Sequence, residues 1–415
     1  MNQAVQSGKS MTLLVKRVQP NLISLAILAS LVTSATVWAG EKTLDYPLGF
    51  GLSASPAMGI STKYDDNIFL QDKVGVKSSW ITELAPSITL GAQKGLDYYT
   101  AKYTLKAGRY HSSRNDDYVD HLLQLDTHNE FNYRNKLDLS FDFLKLHEKR
   151  GSGISDGPFG VSKTPYQYKD AITNATYTYG GDESQGQIKV NASHFYRKYI
   201  NYRNRTRGFD RSEDLIGPTF YYRVMPKTSL LFEATYKDID YKNDISGIST
   251  LDGDETTFQV GVTWETTAKT TGTAQIGRTY KDFDSSQRKD NDFTSWRMGV
   301  EWSPLTYSVF TLVSASEAKE TNGTGNFIRD KSVGLSWQHA WSDKLDSNVG
   351  ISFLNEDYID SIRDDDLENY QAGVNYQFRR ALGFGIKYTY KTRDSNIRTL
   401  DYTDNIIMFT AKIGM

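Results

Sequence analysis

The sequence predicts an all-β protein built as a single transmembrane antiparallel up-and-down barrel. The count is about eighteen strands, with sixteen as the alternative, and both termini are expected on the periplasmic side. Three observations predict this. Apolar and polar residues alternate one by one in segment after segment. The connections between segments alternate between tight and long. The N-terminus reads as a secretory signal, and no later apolar run is long enough for a helical span.

The alternation is clearest from Asn369 to Tyr390. Tyr370, Ala372, Val374, Tyr376 and Phe378 share one phase, and Gln371, Gly373, Asn375, Gln377 and Arg379 the other. After a turn at Arg380 and Ala381 the pattern resumes with Leu382, Phe384, Ile386, Tyr388 and Tyr390 against Gly383, Gly385, Lys387, Thr389 and Lys391. Successive side chains on a strand point to opposite faces, so this is a hairpin with one apolar and one polar face. Aromatic residues near the ends and smaller apolar residues between them suit a strand that crosses a bilayer.

At the N-terminus, Lys9, Lys16 and Arg17 precede an apolar run over 22–32, and Val37-Trp38-Ala39 resembles a cleavage site. We expect a signal peptide over 1–39, with Met1 or Met11 as the start, then a short periplasmic lead over 40–55 and the barrel over 56–415. The first strand is expected over 56–70 and the last over 402–415. The last presents Ile407, Phe409, Ala411, Ile413 and Met415 outward. Tight connections fall at 94–96, 133–134, 180–183, 225–227, 268–270, 304–305, 342–343 and 380. Long polar ones fall at 150–165, 200–210, 242–252, 320–329, 359–365 and 394–401. Short turns on one side and long loops on the other fit an outer-membrane barrel of a Gram-negative bacterium.

Composition agrees. The 415 residues include 27 Tyr, only 9 Pro and no Cys. The absence of Cys excludes disulfides and thiol catalysis. Formal net charge is −2 and no basic recognition motif stands out, so no nucleic-acid partner is expected.

The polar phase carries the candidate lumen-lining residues: Lys102, Lys106, Asp126, Glu130, Asp138, Asp142, Lys189, Glu233, Lys237, Arg297, Glu301, Arg379, Lys387 and Lys412. Both signs are present, which predicts a hydrated wall without a strong ion preference. His128 stands between Asp126 and Glu130, but residues two apart on a strand are only neighbours in a polar wall, about 7 Å apart. There is no Gly-x-Ser-x-Gly elbow and no His-Glu-x-x-His motif. We expect no catalytic residue, no cofactor, no metal site and no enzyme.

The stretch Gly59 to Leu70 reads GISTKYDDNIFL, followed by WITELAPSITL from Trp80 to Leu90. This resembles the opening of a family of outer-membrane β-barrel porins associated with exopolysaccharide and capsule export. Tyr64, Asp65, Asp66, Asn67 and Phe69 match the family's motif. The alternating last strand resembles the signal read by the barrel-assembly machinery, with Met415 where Phe is usual. The resemblance implies assisted export of an exopolysaccharide, with periplasmic polysaccharide-export proteins as partners beside outer-membrane lipid and lipopolysaccharide. The other expectations are a general or sugar-uptake porin for small hydrophilic solutes, and a structural or adhesive surface barrel with no conducting lumen.

Overall fold

The computed structural model describes residues 46–156, 162–244, 247–267 and 269–414. The segments that alternate in sequence are strands: β1 (Tyr46–Gly49), β2 (Leu52–Asp65), β3 (Ser79–Lys94), β4 (Asp97–Tyr110), β5 (Tyr118–Asn132), β6 (Asn135–Glu148), β7 (Tyr166–Tyr179), β8 (Gly186–Tyr199), β9 (Arg211–Met225), β10 (Thr228–Tyr241), β11 (Gly253–Thr267), β12 (Thr270–Phe283), β13 (Asn291–Leu305), β14 (Ser308–Glu320), β15 (Phe327–Ser342), β16 (Leu345–Ile359), β17 (Asp364–Arg379), β18 (Leu382–Ser395) and β19 (Tyr402–Gly414). From β2 onward each strand pairs antiparallel with its neighbour in sequence, and β19 pairs back on β2. Eighteen strands therefore close a barrel, and closure leaves no long edge with unpaired backbone groups.

The short β1 is an addition to the ring. It folds back on Leu52–Ala54 of β2. One edge of β2 is taken by β3 along its whole length. On the other edge, pairing with β19 ends at Ala57 and Gly414. So β1 fills the slot that β19 leaves, and the first barrel strand begins at Leu52 rather than at 56. The expected signal peptide, the lead before residue 46 and Met415 lie outside the described residues.

The period of two sorts every strand into two faces, and exposure shows which is which. Phe258 and Val260 are 55% and 54% exposed, whereas Gln259 between them is 4% exposed. Register keeps like with like. Leu230 stands opposite Val262, which stands opposite Ala274, and Ala274 opposite Met298. A one-residue slip would turn every one of these apolar side chains to the other face, so the pattern fixes the register.

The connections alternate as expected. At one end they are 95–96, 133–134, 180–185, 226–227, 268–269, 306–307, 343–344 and 380–381. At the other end lie 66–78, 111–117, 149–165, 200–210, 242–252, 284–290, 321–326, 360–363 and 396–401. We call these the short-turn and long-loop ends, and number the long loops in chain order. The first strand stops at Asp65, five residues before its expected end. Asn67 breaks it: its side-chain oxygen accepts the Gln71 N–H at 3.0 Å, which closes a local turn. Leu70 then takes a left-handed φ of 51°, which a strand does not accommodate.

The interior is packed unevenly. Among the described residues, the largest fully buried side chains include Tyr166, Tyr199, Tyr358, Lys281, Phe327, Ile68 and Asn67. All of these sit at the long-loop end, and Leu231 is the exception near the short turns. The bore is therefore narrowed at one end.

Candidate functional site in the barrel interior

In the polar phase of the strands, the expected charged residues fall into distinct settings. On β4, Lys102 is exposed opposite Thr89 and Gln124, and Lys106 lies 3.5 Å from Glu83. On β5 and β6, His128 bonds Asp138 at 2.6 Å and Glu130 at 3.2 Å, and Tyr98 stacks on its ring. Asp126 accepts from Thr100 at 3.4 Å, and Asp142 stands opposite Gln124 and Ile172. Lys189 lies 5.1 Å from the centre of the Tyr221 ring, which attracts a cation through its face. Lys237 pairs with Glu255 at 3.0 Å, and Arg297 lies between Glu317 at 3.2 Å and Glu233 at 3.5 Å. Glu301 stands opposite Thr271 and Thr311, Lys387 opposite Gly373 and Met408, and Lys412 opposite Gly383 and Gly59.

Arg379 departs from expectation. A register shift between Gln377 and Arg379 takes it out of the alternating phase at the short-turn end. It is exposed there, and its guanidinium lies 5.4 Å from the centre of the Phe378 ring. A bulge at a strand end re-aims a side chain in this way.

The long-loop end holds what the period of two cannot reveal. Lys281 donates to Glu320 at 2.7 Å, and the two side chains are 2% and 4% exposed. Tyr241 donates to the other Glu320 oxygen at 2.7 Å. Arg197 forks onto Asp170 at 2.8 and 2.7 Å and lies over Tyr168. Such pairs are costly to desolvate and very costly to break on one side only.

The five-residue motif of the first strand acts at the seam where the barrel closes. The Tyr64 ring packs at a tilt against Trp80, with centroids 5.4 Å apart. Asp66 accepts from the Asn405 backbone at 2.7 Å and from its side-chain amide at 2.8 Å. The Asn67 amide donates to Thr403 O at 2.9 Å and to Gln71 O at 2.7 Å. Asp65 accepts the Asn67 N–H at 3.0 Å and the Lys149 ammonium at 3.1 Å. Phe69, expected to end the strand, is instead buried in a cluster with Ile68, Ile81, Tyr110 and Tyr118. The motif thus ties the first strand to the last and tucks loop 1 into the bore.

Loop 3 begins on top of this cluster. Arg150 forks onto Asp116 with two bonds of 2.6 Å and stacks on Phe69 at 4.3 Å. Gly151 has φ +86°, and a Cβ there would meet Phe69 O at 1.9 Å. Replacing Gly151 by Ala should therefore lift loop 3 off loop 1. We expect faster proteolysis of both loops with the barrel intact, read by limited trypsin digestion of the folded protein.

Asp156, farther along loop 3, reaches β18 and the turn before β17. It accepts from Arg363 at 2.6 Å and from Arg393 at 2.9 and 3.0 Å. These partners are 207 and 237 residues away in sequence. Both arginines are nearly buried, at 4% and 6% side-chain exposure. Burial works against the charge of Arg363, but the bonds it donates to Asp365 and Asp156 outweigh it and raise its pKa. No local pattern announces Asp156, Arg363 or Arg393, because their association depends on the barrel being closed.

No group of three or more potential metal ligands occurs among the described residues. The family model described as "Putative beta-barrel porin 2" matches residues 52–414. Among curated proteins, no sequence matches. The outer membrane protein OpdK from Pseudomonas aeruginosa superposes with a TM-score of 0.50 at 9% identity, over 87% of this chain and 99% of that one. A BenF-like porin from Pseudomonas fluorescens Pf-5 gives 0.48 at 8% identity, over 87% and 99%. The FrpB iron transporter from Neisseria meningitidis gives 0.44 at 9%, over 87% and 82%.

Proposed function

Because this chain belongs to the family described as "Putative beta-barrel porin 2", a family of outer-membrane β-barrel porins, we propose that it is a passive channel for small hydrophilic solutes. The observation that carries this reading is the uneven bore. Its wall is largely polar, broken by apolar side chains such as Leu231, Ile172 and Met408, and loops 1 and 3 and buried ion pairs fill the long-loop end. Inward residues are small along β15 to β18, where Gly334 faces Ser352, Ser336 faces Gly350 and Gly385 faces Asn375. In this reading the long loops face the exterior and both termini the periplasm. Lys102, Lys106, Asp126, Asp142, Lys189, Glu301, Lys387 and Lys412 are among the groups that water and solute meet on the wall. A barrel contains no energy source, so flow follows the solute gradient.

Export of an exopolysaccharide is the second reading. It is supported by the Tyr64–Phe69 motif, which resembles that of export-associated barrels. It requires loop 3 to leave Arg363 and Arg393 so that a polymer chain can pass, and it implies periplasmic export proteins as the source of drive. Assembly through the barrel-assembly machinery and contact with lipopolysaccharide belong to both readings.

Two assays separate them. Liposome swelling should show passage of a pentose and exclusion of oligosaccharides. Deleting the gene should leave extracellular polysaccharide unchanged. Polymer that disappears outside and accumulates in the periplasm would replace the solute reading by export. No swelling with any sugar and no change in polymer would leave an adhesive or structural barrel.

A further inference from the structure

We propose that Arg363 and Arg393 form a carboxylate-binding site at the long-loop mouth, and that Asp156 occupies it in cis as a stand-in for the carboxylate of an entering solute. The inference deepens the solute-channel reading and rests on it for the word "entering"; the binding site itself rests on geometry alone.

The site is held by the wall, independently of its occupant. Arg363 Nε donates to both Asp365 oxygens, at 3.1 and 3.0 Å, and Nη2 donates to the same carboxylate. Asp365 is fixed in turn by Ser395 Oγ at 2.5 Å. Arg393 Nε donates to Leu400 O at 2.6 Å. Each guanidinium also lies on a ring, Arg363 at 4.2 Å from Tyr358 and Arg393 at 4.8 Å from Tyr402. None of these contacts involves loop 3. Removing Asp156 therefore leaves two oriented guanidinium groups that share one carboxylate, Asp365, which pairs with Arg363 and lies 4.0 Å from Arg393 Nη1.

The geometry selects a planar carboxylate. Arg393 Nη2 donates to Asp156 Oδ1 and Nη1 to Oδ2, the fork pattern that matches two oxygens in one plane. Arg363 Nη2 adds a third bond to Oδ2. An external carboxylate can reproduce all three. Asp156 is tethered at high effective concentration, so the external anion competes at a disadvantage until the tether's carboxylate is removed.

The test uses the full chain in detergent and isothermal titration with sodium acetate against sodium chloride at equal ionic strength. Asp156→Asn keeps the side-chain shape and removes the competing charge. We expect it to bind acetate at least about ten-fold more tightly than the parent chain. Asp156→Ala should behave alike. Adding Arg393→Gln to Asp156→Asn should return acetate binding to the parent level. Acetate binding by both Asp156 variants no tighter than by the parent overturns the site. Potassium chloride conductance in a planar bilayer is scored separately. A non-conducting chain whose Asp156→Asn form binds acetate loses the channel reading and keeps the site. A conducting chain with no acetate gain does the opposite.

Discussion

Replacing Lys281 by Met should destabilise the barrel by about 3–5 kcal/mol, because it strands a buried carboxylate. Lys281 and Glu320 meet at 2.7 Å with almost no exposure. The ammonium also lies 5.8 and 5.7 Å from the ring centres of Phe283 and Phe327. The Met chain refills the space of the Lys stem, so the loss is chiefly electrostatic. Glu320 then keeps the Tyr241 hydroxyl as a direct bond, with Arg211 and Lys237 acting on it from farther away. The matching double variant, Lys281→Met with Glu320→Gln, should recover more than half of the loss, since the stranded carboxylate is gone and Arg211 and Lys237 keep Glu213 and Glu255 as partners. Urea unfolding in lipid vesicles, followed by tryptophan fluorescence, measures both. Equal losses in the single and double variants would show that packing, and not charge, dominates at this site.

Replacing Asn67 by Ala should cost about 3 kcal/mol and should act on closure more than on any one strand. The Asn67 side chain is buried and makes three hydrogen bonds, to Gln71 N, Gln71 O and Thr403 O. The last of these crosses from the first strand's end to β19. Each buried bond is worth about 1 kcal/mol, and an unpaired partner left behind costs more. Asp66→Ala removes the two bonds to Asn405 and should cost about 2 kcal/mol. Both variants should lower the temperature at which the folded form loses its anomalous gel mobility. Hydrogen exchange should rise first along β2 and β19. Uniform exchange across all strands would contradict a role at the seam.

The strand order, the closed ring and the two faces were legible because each rests on a period of two repeated along the chain. The connection lengths were legible because turn residues and polar runs punctuate that period. Where the chain leaves the period, legibility stops. Asp65, Asp66, Asn67 and Phe69 stand out as a motif, but an uninterrupted strand over 56–70 was the natural reading of GISTKYDDNIFL. Only the Asn67 turn and the left-handed Leu70 send Phe69 inward. Arg379 has inward phase by count and loses it to one bulge. Asp156, Arg363 and Arg393 look like ordinary loop and strand charges, because their link spans more than 200 residues and exists only once the ring has closed. The β1 strand was missed because four residues ahead of the first barrel strand carry no alternation of their own.

The most direct test of the whole account is single-channel recording of the purified chain in a planar bilayer with potassium chloride. We expect a steady, small conductance that rises several-fold in Asp156→Asn, where loop 3 has lost its hold on Arg363 and Arg393. No conductance in either form would contradict a solute channel. A large conductance in the parent chain, unchanged in Asp156→Asn, would contradict the constriction that loops 1 and 3 build.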